Sequence, residues 1–302
     1  MIGIALFAVT VGCIAFSFGG ANKMPYYEGK SLQEWFDLFQ PHHSEEDPDV
    51  KAIIAIGSEA VPFLLHELCV SESPWAERSR RLQCKLGLVR RPYSTASSRN
   101  YRAYNCLLLL GTNADSALPE LIKVARDEAH PSLAIGLLGF NRSSPTTIVP
   151  VLEKRIANPP NPRAPGPFMA AISSLATQGT NAHSALPRLK EIEGDARIPL
   201  QIRIEAACAR LSIDPANPQP LDFIVGQWES TNDSRRWIIQ AFRFLGTNAI
   251  PALPAMRRMS QNGSDTYESF ALRGSMRWLE TLSGTELSST NETICVQDLI
   301  RP

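Results

Sequence analysis

No cysteine pair at Cys-x-x-Cys spacing occurs in this sequence, and neither does Gly-x-Ser-x-Gly, a glycine-rich phosphate loop or His-Glu-x-x-His. These absences remove the usual signatures of dithiol or zinc sites, hydrolase nucleophiles, nucleotide phosphates and metalloproteases. Cys69, Cys84, Cys106, Cys208 and Cys295 are far apart and form no Cys/His cluster, so they read as small apolar residues on helix faces and not as a disulfide framework. An excess of one charge is missing as well. Thirty Lys and Arg balance thirty Asp and Glu, which leaves no global field to recruit nucleic acid or an anionic membrane. His42-His43 beside Glu45, Glu46 and Asp47 is the one crowd of metal-capable groups, but adjacent histidines in a proline-flanked loop point apart. No catalytic residue, cofactor or metal site is therefore expected.

What the chain does have is a phrase that returns. Leu110-Gly111-Thr112-Asn113-Ala114-Asp115-Ser116-Ala117-Leu118-Pro119-Glu120-Leu121 recurs as Gly179-Thr180-Asn181-Ala182-His183-Ser184-Ala185-Leu186-Pro187-Arg188-Leu189, and as Leu245-Gly246-Thr247-Asn248-Ala249-Ile250-Pro251-Ala252-Leu253-Pro254. Ile56-Gly57-Ser58-Glu59-Ala60-Val61-Pro62 is a shorter copy. An apolar run that stops at Gly predicts a helix closed by a left-handed residue. Thr or Asn then predicts a cap, and proline in the first turn of a second helix costs nothing because its missing N–H would be unpaired anyway. Leu118-x-x-Leu121-Ile122, Leu186-x-x-Leu189 and Leu253-x-x-Met256 supply the stripe spacing of a buried helix face.

Weaker copies at Leu138-Gly139-Phe140 and Arg210-Leu211-Ser212 place junctions at 57, 111, 139, 179, 212 and 246. Most steps are about 28 to 40 residues, the period of stacked helix pairs. The longer first step implies an insertion near 71–102. Ser31 and Glu34 read as a capping box in front of Leu32, Trp35 and Phe36, a short helix that would close the array. The five prolines between Pro159 and Pro167 read as an extended connector.

On these residues the chain resembles a HEAT-repeat protein, over roughly Ser31 to Leu282, and its opening Tyr26-Tyr27-Glu28-Gly29-Lys30-Ser31-Leu32-x-Glu34-Trp35 looks like the lead-in of small exported bacterial HEAT-repeat proteins. The resemblance implies an all-α fold, an α-solenoid of about six to seven antiparallel helix pairs. The expected layout is a leader over 1–22, a linker and capping helix over 23–47, repeats over 48–282 and a polar tail over 283–302. It also implies a scaffold for another macromolecule without naming one.

Ile2 to Ala21 carries no charge and is long enough to cross most of a bilayer, so an N-terminal hydrophobic helix is expected, either a secretory signal or an anchor. Small residues at Ser17/Gly19 and Gly19/Ala21 offer cleavage sites. Lys23 and Lys30, by the positive-inside tendency, favour a cytoplasmic body. The reading adopted is export or anchoring in a bacterial periplasm or cell envelope, with the membrane as a partner if the leader stays.

The insertion is the odd region in composition. Arg78, Arg80, Arg81, Lys85, Arg90, Arg91, Arg99 and Arg102 lie in it with no Asp or Glu among them, and Tyr93, Tyr101 and Tyr104 are interleaved. Arginine forks bind oxyanions at two points, so the cluster is a candidate site for a polyanion or an acidic partner. A solvated face, neutralised by the acidic residues between Glu45 and Asp49, explains the same run.

Two function classes follow. One is a non-enzymatic scaffold whose second helices, after Pro62, Pro119, Pro150, Pro187, Pro220 and Pro254, line a concave surface for another protein. The other is a helical-repeat enzyme, or a polyanion or nucleic-acid binder using the arginines. Neutral charge and the hydrophobic leader count against nucleic acid.

Overall fold

The computed structural model describes residues 24–71, 78, 82, 95–126, 131–228, 232–262 and 267–284. The hydrophobic segment read as a leader lies outside them, as does nearly all of the tail. The described chain is overwhelmingly helical, as the pattern predicted, with one exception at its start. Tyr26–Tyr27 (β1) and Lys30–Ser31 (β2) pair as an antiparallel hairpin. Its turn holds Glu28 and Gly29 at φ 47° and 78°, the paired positive angles that match the twist of two strands.

The plain linker expected before the first helix is therefore corrected, and Trp35 is the reason. Its indole N–H donates to the Tyr27 carbonyl at 2.9 Å, and Lys30 Nζ stands 4.3 Å from the centre of its ring. The capping box forms as read: Ser31 accepts from the Glu34 N–H at 3.3 Å, and Glu34 accepts from the Ser31 N–H at 2.8 Å. It opens α1 (Leu32–Leu38), whose Leu32, Trp35 and Phe36 are buried.

Helices then alternate along the chain. α2 (Pro48–Ile56) is followed by α3 (Val61–Leu68), and α4 (Ala96–Leu110) by α5 (Leu118–Arg126). Next come α6 (Pro131–Phe140) with α7 (Pro145–Ile156), and α8 (Gly166–Gln178) with α9 (Leu186–Gly194). α10 (Leu200–Ile213) precedes α11 (Gln219–Gly226), and α12 (Asn232–Leu245) precedes α13 (Leu253–Asn262) and the last helix, α14 (Tyr267–Leu282).

The repeated phrase makes the joint inside a pair, but by a different device from the one expected. Gly57, Gly111 and Gly179 take φ of 62°, 52° and 57° with ψ of −134°, −122° and −137°. A left-handed helical residue would have ψ near +47°. The observed region is open to glycine, because a Cβ there would press on the neighbouring carbonyl. The chain then runs through 3-10 segments, Gly57–Ala60, Gly111–Ala117, Gly179–Ala185 and Gly246–Ala252, straight into the second helix.

Thr and Asn of the phrase consequently cap nothing, and no side-chain cap bond closes the start of any of these four segments. The 3-10 turn uses those N–H groups itself. The alanine before each apolar-proline pair has a separate job. Ala60, Ala117, Ala185 and Ala252 are at most 3% exposed, so a larger side chain would lift the joint off the core.

The two weak copies are not joints of this kind. α6 runs through Gly139 and α10 through Ser212; the chain turns instead at 141–144 and 214–218. Gly139 is glycine for another reason. A Cβ on it would stand 2.7 Å from the Ser174 Cα, so its absence lets α6 and α8 approach closely.

Main contacts link helices that are adjacent in sequence or separated by one helix. α2, α4, α6, α8, α10, α12 and α14 form one continuous row, each packed on the next. The core is correspondingly divided in two, and α10 belongs to both parts. Ile202, Ala206, Ala209 and Ile213 on one side join the larger cluster that begins at Leu32. Ile204, Ala207, Cys208 and Leu211 on the other side join the cluster that ends at Leu279.

Buried side chains also tie one layer to the next by taking helix-end carbonyls, the groups a helix C-terminus leaves unpaired. Asn100 Nδ2 donates to the carbonyls of Glu67, Leu68 and Val70 at 2.8, 2.8 and 3.0 Å. Gln178 Nε2 does the same for Leu138, Gly139 and Asn141 at 3.3, 3.0 and 2.8 Å. Two positions on α14 depart from the expected core: Trp278 and Leu282 are 39% and 44% exposed while Leu279 is fully buried.

Candidate functional site

The arginines of the insertion do not share one environment. Arg78 is exposed. Arg80, Arg81, Lys85, Arg90 and Arg91 lie outside the described residues. Arg99 is committed inside the fold: its Nε and Nη2 donate to the two carboxylate oxygens of Glu67 at 2.6 and 2.5 Å, and the Glu67 side chain is only 2% exposed. Arg102 is largely buried, 3.8 Å from Asp37 and with its guanidinium over the Phe36 ring at 5.3 Å.

Of the eight cations read as a candidate anion or acidic-partner site, Arg99 and Arg102 thus meet acids of this chain that lie before the basic stretch, Glu67 and Asp37. The acids that meet them are also not the 45–49 group, which turns inward on itself. His43 Nδ1 lies 2.8 Å from Asp49 Oδ2, and Lys51 pairs with Glu46 at 2.6 Å. Tyr101 and Tyr104 stack on each other with centroids 6.3 Å apart.

A cleft that sequence reasoning did not identify lies farther along, where α8, α10 and α12 meet. Its volume is about 200 Å³. α10 presents Gln201, Ile204, Glu205 and Cys208, and α12 presents Trp237, Gln240, Ala241 and Phe244; both sets follow the i, i+3, i+4, i+7 spacing of one helix face. α8 contributes Ser173 and Ala176. Small residues opposite Glu205, namely Ser173, Ala176 and Ala241, leave the space open. Phe244 is 52% exposed and half-buried Trp237 shares its helix face, so two rings stand at a site reachable from solvent.

Glu205 gives the cleft its chemistry. Its Oε2 is buried and accepts no hydrogen bond among the described residues. Burial raises the Glu205 carboxyl to about 7, and a hydrogen bond from Gln201 only partly offsets that. Beside it, burial pushes the Cys208 thiol well above its ordinary range, so this cysteine supplies no thiolate near neutrality. From α8 and α12 no ionisable side chain lines the cleft, so Glu205 is the only carboxylate or cation in it among the described residues.

The nearby arginines are engaged elsewhere. Arg203 donates to the Glu193 carbonyl at 2.8 Å and lies over Phe223, and Arg210 pairs with the Glu193 carboxylate at 2.5 Å. Arg243 donates to Ser275 Oγ at 3.2 Å.

A larger, more open hollow of about 510 Å³ beside α9 is lined by His183, Lys190, Asp214 and Asn217 together with Arg210, which is already held by Glu193. Among the described residues no group of three or more His, Cys, Asp or Glu gathers as a metal would require. Cys106 and Cys208 are buried as read, whereas Cys69 is exposed. No described helix is long and apolar enough to cross a membrane. Comparison with known proteins adds no relative: no family model, curated protein or solved structure matches the chain.

Proposed function

We propose that this chain is a HEAT-like α-solenoid, a non-enzymatic scaffold that holds another protein against the face formed by its α8, α10 and α12 helices. The row of first helices, each leaning on the next, supports the repeat reading, since helix pairs too small to hide their own apolar sides must stack. The observation that carries the binding face is the open cleft with Trp237 and Phe244 at its margin, because partly exposed aromatic anchors dominate protein recognition. The sequence reading put the partner on the second helices; the cleft favours the first. Residues 1–22 would export the scaffold or tether it to the envelope. The polyanion alternative now rests on fewer cations, since Arg99 and Arg102 are held by Glu67 and Asp37.

Photo-crosslinking in the native host tests this reading. A photoreactive residue at exposed Gln240 or Phe244 is expected to give discrete protein adducts, while one at exposed Lys154 or Lys190 on the second helices is not. Adducts confined to the second-helix positions would overturn the face assigned here, and adducts to nucleic acid or glycan in place of protein would overturn the scaffold.

A further inference from the structure

The cleft itself narrows what the partner must present. We infer that it receives a lysine side chain of the bound protein, with the alkyl stem against Trp237 and Phe244 and the ammonium on Glu205. This inference rests on the scaffold reading and deepens it.

Size argues first. Sites for whole small molecules occupy about 300–1,000 Å³. At about 200 Å³ this cleft suits one long side chain entering from a larger surface. Charge argues next. Glu205 is a largely buried carboxyl with an oxygen that has no partner among the described residues, and no cation among those residues lines its cleft. A buried anion left without a partner is costly, and the residue that would complete it must come from outside.

Shape and chemistry then select the cation. The stem of a lysine is apolar and snorkels, so the rings of Trp237 and Phe244 can cover it beside Ile204, Ala176 and Ala241 while its charged end reaches Glu205. An ammonium carries three donors. Ser173, Gln201 and Gln240 provide acceptors beside the single open carboxylate oxygen. A guanidinium is less well suited, because its planar fork seeks two oxygens of one carboxylate and Gln201 already bonds to this one.

Ionisable groups on the surrounding helices support a pH dependence. α8 and α12 place none in the lining, α9 and α11 place no residue in it, and on α10 only Cys208 accompanies Glu205. With Glu205 titrating at about 7, its affinity for an ammonium grows as it ionises. The apparent dissociation constant falls about tenfold between roughly pH 6 and pH 8.

The test uses the full chain with indole-labelled tryptophan and NMR detection, the Trp237 N–H signal being assigned with Trp237→Phe. Nα-acetyl-lysine methylamide is expected to shift that signal saturably, with about tenfold tighter binding at the higher pH. Its Nζ-acetylated analogue should not shift it, the arginine analogue should bind more weakly, and Glu205→Gln, checked for folding by its thermal melt, should lose the response. A Trp237 signal that ignores the lysine probe, or responds equally in Glu205→Gln, overturns the lysine site. Arginine binding at least as well overturns the choice of lysine. If the probe fails while crosslinks from Gln240 persist, the scaffold stands without this pocket chemistry; if the crosslinks are lost too, both readings fall.

Discussion

Glu205 should make the protein less stable as the solution turns alkaline, opposite to what most paired carboxylates do. Its pKa rises from 4.5 to about 7 on folding, so between those values the folded chain keeps a proton that the unfolded chain releases. The unfolded state then binds fewer protons, and stability falls as pH rises through that window. The loss is complete above about pH 7 and amounts to no more than roughly 3 kcal/mol. Glu205→Gln removes the ionisation. Thermal melts of the two proteins should coincide near pH 4.5. Above neutrality the variant should melt several degrees higher. Curves that stay parallel across the range would show that water reaches this carboxyl freely. The residue was visible in the sequence only as the polar side of an apolar helix, since Ile202, Ala206 and Ala209 around it announce a core face. What the sequence could not announce is that α8 and α12 approach with small residues at Ser173 and Ala241 and so enclose it. The arginine cluster hides its partners in the same way: Arg99 meets Glu67 from thirty-two residues away, outside the acid-free run that makes the cluster stand out.

At the scale of single helices, the repeated phrase told where each pair bends but not how. Gly, Ala and Pro were all legible as punctuation, and the 3-10 path between them was not, because Thr and Asn carry a capping signal that the backbone does not use here. Gly139 shows the complementary ambiguity: a glycine at a close helix crossing reads the same as one at a helix end. The ties between layers were invisible for a related reason, since an amide such as Gln178 has no local partner to betray it. Gln178 Nε2 serves three carbonyls at the end of α6, and it is 3% exposed. Gln178→Ala should therefore cost about 1–3 kcal/mol, the penalty of stranding buried acceptors. Gln240→Ala, on the exposed rim, should stay within about 0.5 kcal/mol. Chemical denaturation measures both, and equal small losses would mean that water replaces the Gln178 amide without difficulty.

Across the whole molecule, α10 is the member that both halves of the core require. Its two apolar sides are offset by one residue, so Ala206 faces the cluster running back to Leu32 and Ala207 the cluster running on to Leu279. Both alanines are fully buried, which leaves no room for growth on either side. Replacing either with leucine overpacks one half by about 1–3 kcal/mol. If layers interact only with their neighbours, the damage should spread unevenly. Ala206→Leu is expected to raise amide exchange in α8 and α9 more than in α12 to α14, and Ala207→Leu to do the reverse. Hydrogen exchange read by mass spectrometry separates these helices directly. Exchange that rises equally in both halves for either substitution would mean that the chain unfolds as one cooperative body, and the stacking of separate layers would then be the wrong description of what holds it together. A one-sided response would instead place the cleft at the seam, since Ser173, Glu205 and Trp237 come from helices on both sides of it, and any side chain that occupied it would clamp the two halves to each other.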